Sequence, residues 1–196
     1  AIAARELRSM FVTPLAWVVL AVVQIILAYQ FLSKLDDFVQ VLPRLAALEG
    51  APGLTELVIM PLFSTGTVLL LLIVPMITMR AFSDEKRGGT WALLVSAPVS
   101  VSEIVFGKFC GTFSFFLILI GLLVAMPLSL LLASAVDLGH LGAATLALVL
   151  LAASFTAIGM LTSSLCTHPA AAAVASCGAL LMLWIVDWRG SEAPSD

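Results

Sequence analysis

Apolar residues in this chain gather in long unbroken runs, not in the alternating pattern of strands or the one-sided pattern of soluble helices. A helix needs about 20 such residues to cross about 30 Å of hydrocarbon. Five runs meet that length: Pro14 to about Leu32, about Leu57 to Met79, Phe109 to Ala133, Leu141 to Leu165 and Pro169 to Val186. Thr13 is placed as an N-cap with Pro14 as the first helical residue. The third run is long enough to tilt and predicts a kink at Pro127, and the fifth opens with the alanine-rich "HPAAAAVAS". Ahead of the first run, "AIAARELRSMF" puts Ala3, Leu7, Met10 and Phe11 on one helical face, with Arg5, Arg8 and Ser9 largely opposite. That pattern predicts an amphipathic helix over about 2–12 lying in the membrane interface; a terminal turn of the first span is the other reading. The expected fold is all-α: a polytopic membrane helical bundle of five spans in one domain, 1–196.

Composition removes the soluble alternatives. Hydrophobic residues make up 62% and charged residues 11% of the chain, against roughly 25% charged in ordinary soluble domains. A formal charge of −3 gives no reason to expect nucleic acid. Cys110, Cys166 and Cys177 are odd in number and lie in or beside apolar runs, which predicts free, buried thiols. The first run lacks a small-residue cleavage site, so it is expected to stay in the membrane and not act as a secretory signal. With the N-terminus inside, the inner segments carry Arg5, Arg8, Arg80, Lys86, Arg87 and Lys108, and the outer ones Lys34, Arg44 and Arg189. The positive-inside rule favours that orientation and leaves the tail "DWRGSEAPSD" outside.

The segment from Arg80 to Lys108 stands apart. It holds Arg80, Asp84, Glu85, Lys86, Arg87, Glu103 and Lys108, charges that hydrocarbon would penalise by about 2.5–3.5 kcal/mol each. Beside them lies an apolar patch of Trp91, Leu93, Leu94 and Val95, then the helix-breaking Pro98. Ser100 and Glu103 have the spacing of a capping box that opens a helix into the third span. The layout is a charged turn, a short apolar-faced helix, a stop and a capped helix. It fits a cytoplasmic elbow that docks another protein, and equally a membrane-surface hairpin whose charges serve only topology.

"VPMITMRAFSDEKRGGTWALLVSAPVSVSEIVFGKF" resembles the junction between the second and third spans of ABC-2-class export permeases, most nearly the branch of the gliding-motility and nitrous-oxide-reductase-maturation permeases. Pro75, Thr78-Met79-Arg80, Glu85-Lys86-Arg87, Gly89-Thr90, Leu93-Leu94, Pro98 and Gly107-Lys108 fill that pattern, and "RELRSMFVTPLAWVVLAV" resembles the family's opening. The resemblance implies a non-catalytic permease of a bacterial inner membrane, N-terminus cytoplasmic. It implies two copies of an ABC ATP-binding subunit, which would hold ATP and Mg, and a second permease as homodimer or paralogous heterodimer. An extracytoplasmic accessory protein and membrane lipids complete the expected partners. Its coupling helix would dock on the ATPase through Asp84, Glu85, Lys86, Arg87, Gly88, Gly89, Thr90, Trp91, Leu94 and Pro98. Members usually have six spans, and this sequence shows five. The alternative is a membrane scaffold or assembly factor that recruits a cytoplasmic partner through the 80–108 elbow without moving substrate.

Other motifs fall away. Gly107-Lys108 lacks the earlier glycine and following Ser or Thr of a phosphate-binding loop, so the chain itself is not expected to bind ATP or any cofactor. His140 and His168 do not sit with carboxylates or cysteines at metal-ligand spacing, although Cys166 with His168 has donor types that suit copper. No span carries a clear central acid or base, which argues against a proton- or sodium-coupled carrier. Gly107 and Gly111, and Ala171, Ala175 and Ala179, repeat small residues every helical turn and are candidate helix-packing positions, within the chain or between subunits.

Overall fold

The computed structural model describes residues 2–45, 53–88, 100–130 and 137–191, all-α with no strand among them. In chain order the helices are α1 (Ile2–Val12), α2 (Pro14–Leu45), α3 (Met60–Thr78), α4 (Arg80–Arg87), α5 (Val101–Leu130), α6 (Leu138–Leu165) and α7 (Pro169–Ser191), and a π-helical turn, Thr55–Ile59, leads into α3. Among the described residues five helices are long and apolar enough to cross a membrane. The fold is that of a polytopic membrane helical protein.

Helix ends differ from the ends of the apolar runs for a physical reason. Hydropathy registers where a segment is apolar, whereas a helix continues until something breaks its backbone pattern. At 32 residues α2 is about 48 Å long, well beyond about 30 Å of hydrocarbon. Its polar end is stabilised by Lys34 to Asp37 at 3.3 Å and Gln40 to Asp36 at 2.9 Å, so the helix continues past Leu32, where the apolar run ends. Likewise α5 starts at Val101 and remains helical through Pro127. Thr13 stands immediately before Pro14, the first residue of α2, as expected of an N-cap, but its hydroxyl and N–H both donate to Met10 O, at 2.6 and 3.1 Å, and close the end of α1. The expected burial of the three thiols also needs correcting. All are free, but Cys110 is exposed and Cys166 and Cys177 are half-buried, because apolar spans present much of their circumference outward.

The chain divides into two units. One contains residues 9–69 and 115–151. Here α2 buries a narrow stripe, Ala16, Val23, Leu27 and Phe31, and packs on the π-helical turn, whose Val58 and Ile59 are buried. On α3, Gly66 lets Leu123 and Leu148 close in, since a Cβ there would lie 2.6 Å from Leu123 Cδ1. Phe11 is 5.4 Å from the Trp17 ring and 5.9 Å from that of Phe115, and the Trp17 indole donates to Phe11 O at 2.9 Å.

The other unit contains residues 1–8, 70–114 and 152–196, and in it α4 packs on α7. The buried stripe of α7 is Ala172, Ser176 and Leu180, while Val174, Met182 and Val186 face outward. Only 22% of the first span's apolar window and 17% of the fifth's are buried within the chain, which leaves most of their surface for lipid or another subunit.

Candidate functional site

The base of the 80–108 segment is built around a one-residue break at Met79, between α3 and α4. The first turn of any helix has backbone N–H groups without helical partners. A methionine at the N-cap position has no oxygen to offer them. Ser163 of α6 supplies it instead: its fully buried Oγ accepts from the N–H of Phe82 at 3.1 Å and of Ser83 at 3.3 Å, and donates to Met79 O at 3.0 Å. Ser83 Oγ also donates to Met79 O. The helix cap of α4 is thus provided by a side chain some eighty positions away.

One turn before Ser163, Gly159 makes the approach possible. A Cβ at Gly159 would overlap Thr78 Oγ1 and lie 2.9 Å from Thr78 Cβ and 3.1 Å from its Cγ2. Thr78 is itself fully buried, its hydroxyl donating to Val74 O at 2.8 Å. At the other end of α4, Lys86 Nζ donates to the backbone carbonyl of Ser164 in the last turn of α6, where carbonyls lack helical partners and a cation is favoured. Between these anchors, Ala81 and Phe82 cluster with Met160, and Phe109 of α5 packs on the cluster.

Lys108, on α5, joins the same site. Its side chain is only 8% exposed, and a buried ammonium requires a counter-charge. Glu6 of α1 provides one at 3.6 Å, and the Phe82 ring centroid lies 5.5 Å from the ammonium. Gly111 admits α1 at this point: a Cβ there would stand 2.6 Å from Glu6 Cβ and 3.0 Å from Ala3 O. Ser100 and Glu103 cap α5 reciprocally, Ser100 N–H to Glu103 Oε2 at 3.0 Å and Glu103 N–H to Ser100 Oγ at 3.3 Å. Among the described residues, α4 is tied to α6 at both ends and to α5 in the middle.

Of the coupling residues expected from sequence, Lys86 is half-buried in this anchor and Gly88 is exposed just past α4. Asp84, Glu85 and Arg87 lie on α4, with side chains outside the description. Gly89, Thr90, Trp91, Leu94 and Pro98 lie outside the described residues. Among the helix-packing candidates, Gly111 is buried and Gly107 half-buried; Ala171 and Ala175 are exposed and Ala179 half-buried. Sequence reasoning missed Gly159, Ser163 and Glu6. Gly159-x-x-x-Ser163 has the same small-residue spacing as Gly107-x-x-x-Gly111 and was equally readable. Glu6 lies in the opening "RELRSMF", but nothing there pointed to Lys108 as its partner. Outside this site, Asp137 caps α6, accepting from Gly139 N–H at 2.9 Å and His140 N–H at 3.3 Å, with His140 Nδ1 3.3 Å from its other oxygen. The His140 and Gly139 hydrogen bonds, His140's backbone N–H foremost, hold the Asp137 carboxyl below the usual aspartate value.

A family model described as "ABC-2 family transporter protein" matches residues 1–188. No curated protein and no solved structure matches the chain.

Proposed function

We propose, from the premise that this chain belongs to the ABC-2 transporter family, that it couples ATP turnover on a separate subunit to export, and that its 80–108 segment is the point of coupling. Membership makes the chain a permease component of an ABC transporter, a multi-pass membrane protein generally non-catalytic in itself, and implies an ABC ATP-binding partner. In the finer reading the chain belongs to the gliding-motility and nitrous-oxide-maturation branch and sits in a bacterial inner membrane with its N-terminus cytoplasmic. It works as one of a permease pair over two ATPase subunits, which bind the ATP and Mg. The exposed flanks of α2 and α7, including Ala171 and Ala175, are available for the second permease.

The observation that carries this reading is the anchoring of α4. A force applied to a segment that Ser163 and Lys86 pin to α6, and Phe82 to Phe109, passes into the spans as a rigid-body displacement and is not absorbed in a loose loop. The mixed charges of Asp84 to Arg87 would set partner choice and register, with Trp91 and Leu94 as apolar anchors.

The test is to purify the chain with a candidate ATP-binding subunit and measure ATP turnover in proteoliposomes. Glu85→Ala and Arg87→Ala are expected to lower partner retention or turnover, and Ser163→Val to keep the partner but weaken stimulation of its ATPase. Retention of no ATPase would refute the reading. Partner retention with turnover unchanged in all three variants would favour the scaffold alternative. Labelling of Lys86→Cys from the outer face alone would overturn the orientation.

A further inference from the structure

Between α4, α5 and α6, within one unit, lies a cavity of about 460 Å³ whose lining shares Phe82, Lys86, Phe109, Met160 and Ser164 with the anchor. That volume falls within the range of sites that hold small molecules. Its floor is Phe82 and Met160, only 3% and 5% exposed, whereas Phe106 and Leu161 on its walls are 70% and 59% exposed, so it opens sideways. The lining is polarised along its length. Lys86 and Ser164 stand at one end, beside the terminus of α6, and Ala157 lies two turns back, about 10 Å along the helix. A water molecule needs two to four polar partners to occupy a cavity, and the walls offer almost none.

For a chain whose helices cross a bilayer, the medium at a lateral opening is lipid. The site has the layout of a lipid lying parallel to its neighbours: a cation at span-end level, and below it an apolar slot running toward the membrane interior. The Lys86 ammonium carries three donors and Ser164 O takes one of them. We propose that this cavity is a lipid site that holds one acyl chain of an anionic glycerophospholipid from the adjoining leaflet, with Lys86 binding its phosphate. The site depends neither on the chain's orientation nor on the ATPase reading. Lipid bound there fills the space beside Phe82 and Lys86, so the anchoring of α4 becomes sensitive to lipid charge.

The test is native mass spectrometry of the purified full chain titrated with dioleoyl phosphatidylglycerol or dioleoyl phosphatidylcholine. The wild type is expected to retain one phosphatidylglycerol with a preference of about fivefold over phosphatidylcholine, the scale of one basic residue at an anionic surface. Lys86→Gln removes the charge and should lose the preference; Lys86→Arg should keep it. Ala157→Trp fills the slot and should abolish retention of both lipids, and if that variant does not fold, Lys86→Gln alone decides. Equal retention of the two lipids by the wild type, or full retention in Ala157→Trp, overturns the proposal. So does an efficient disulfide between Ala157→Cys and Leu94→Cys, which would make a segment of this chain the occupant.

Discussion

Replacing Gly159 by alanine isolates the contact on which the α4 anchor depends. In an open helix interior the change stabilises by about 1 kcal/mol, because alanine loses less backbone entropy than glycine. Here the new methyl overlaps Thr78 Oγ1 and meets Thr78 Cβ at 2.9 Å. Thr78 cannot swing away cheaply, since it is fully buried and its hydroxyl is bonded to Val74 O. Overpacking of this kind costs about 1–3 kcal/mol. Set against the propensity gain, the expected net effect is a loss of about 0–2 kcal/mol, opposite in sign to the same change at Gly121, Gly142 or Gly178, which have nothing within 4 Å of an added Cβ. Thr78→Ala removes two of the three clashing atoms, so Gly159→Ala should be better tolerated in that background, with a coupling of about 1–2 kcal/mol. Reversible unfolding in mixed micelles, titrated with denaturing detergent, measures all four members of the cycle. If Gly159→Ala stabilises as much as Gly121→Ala, the close approach of α6 to the α3–α4 break does not exist as described and the anchoring argument fails with it.

Ser163→Ala should cost about 1–3 kcal/mol by leaving first-turn amides of α4 without their acceptor, and hydrogen exchange at Phe82 and Ser83 should accelerate; unchanged protection would contradict the cap supplied by α6. Glu6→Gln should destabilise the chain, and should do so much less in a Lys108→Met background, where no buried ammonium needs a counter-charge; equal effects in both backgrounds would mean that the pair is not coupled. For Asp137 the folded pKa is depressed, so its stabilising contribution is present at neutral pH and is lost as the pH falls through that value, below the ordinary aspartate value of about 4. Asp137→Asn keeps an acceptor for Gly139 and His140 but should flatten this part of the acid limb of a stability–pH curve, and an identical limb in the variant would count against the assignment.

Certain elements were legible because they depend only on neighbours in sequence. The capping box of Ser100 and Glu103 closes within three residues and forms as its spacing predicts. The polar and apolar faces of α1 follow from helical periodicity, and Arg5 and Arg8 are exposed as that periodicity requires. The end of α2 was not legible, since an apolar run stops where its side chains turn polar, whereas the helix is carried on by the Lys34–Asp37 and Gln40–Asp36 pairs. The 80–108 segment could be located from its charges and motif, but the residues that brace its start could not.

Composition and the lengths of the apolar runs suffice to show a membrane chain with five candidate spans and a charged segment between the second and third. Transfer of a segment into hydrocarbon depends on that segment's own composition, so a linear reading suffices. It took the packed helices to reveal that Ser163 caps α4, that Gly159 rather than some other small residue receives Thr78, and that Glu6 answers Lys108. Spans that are apolar all round carry no amphipathic stripe to show which face meets a neighbour. The choice of face rests on close packing and on a few buried polar groups whose partners lie far away along the chain.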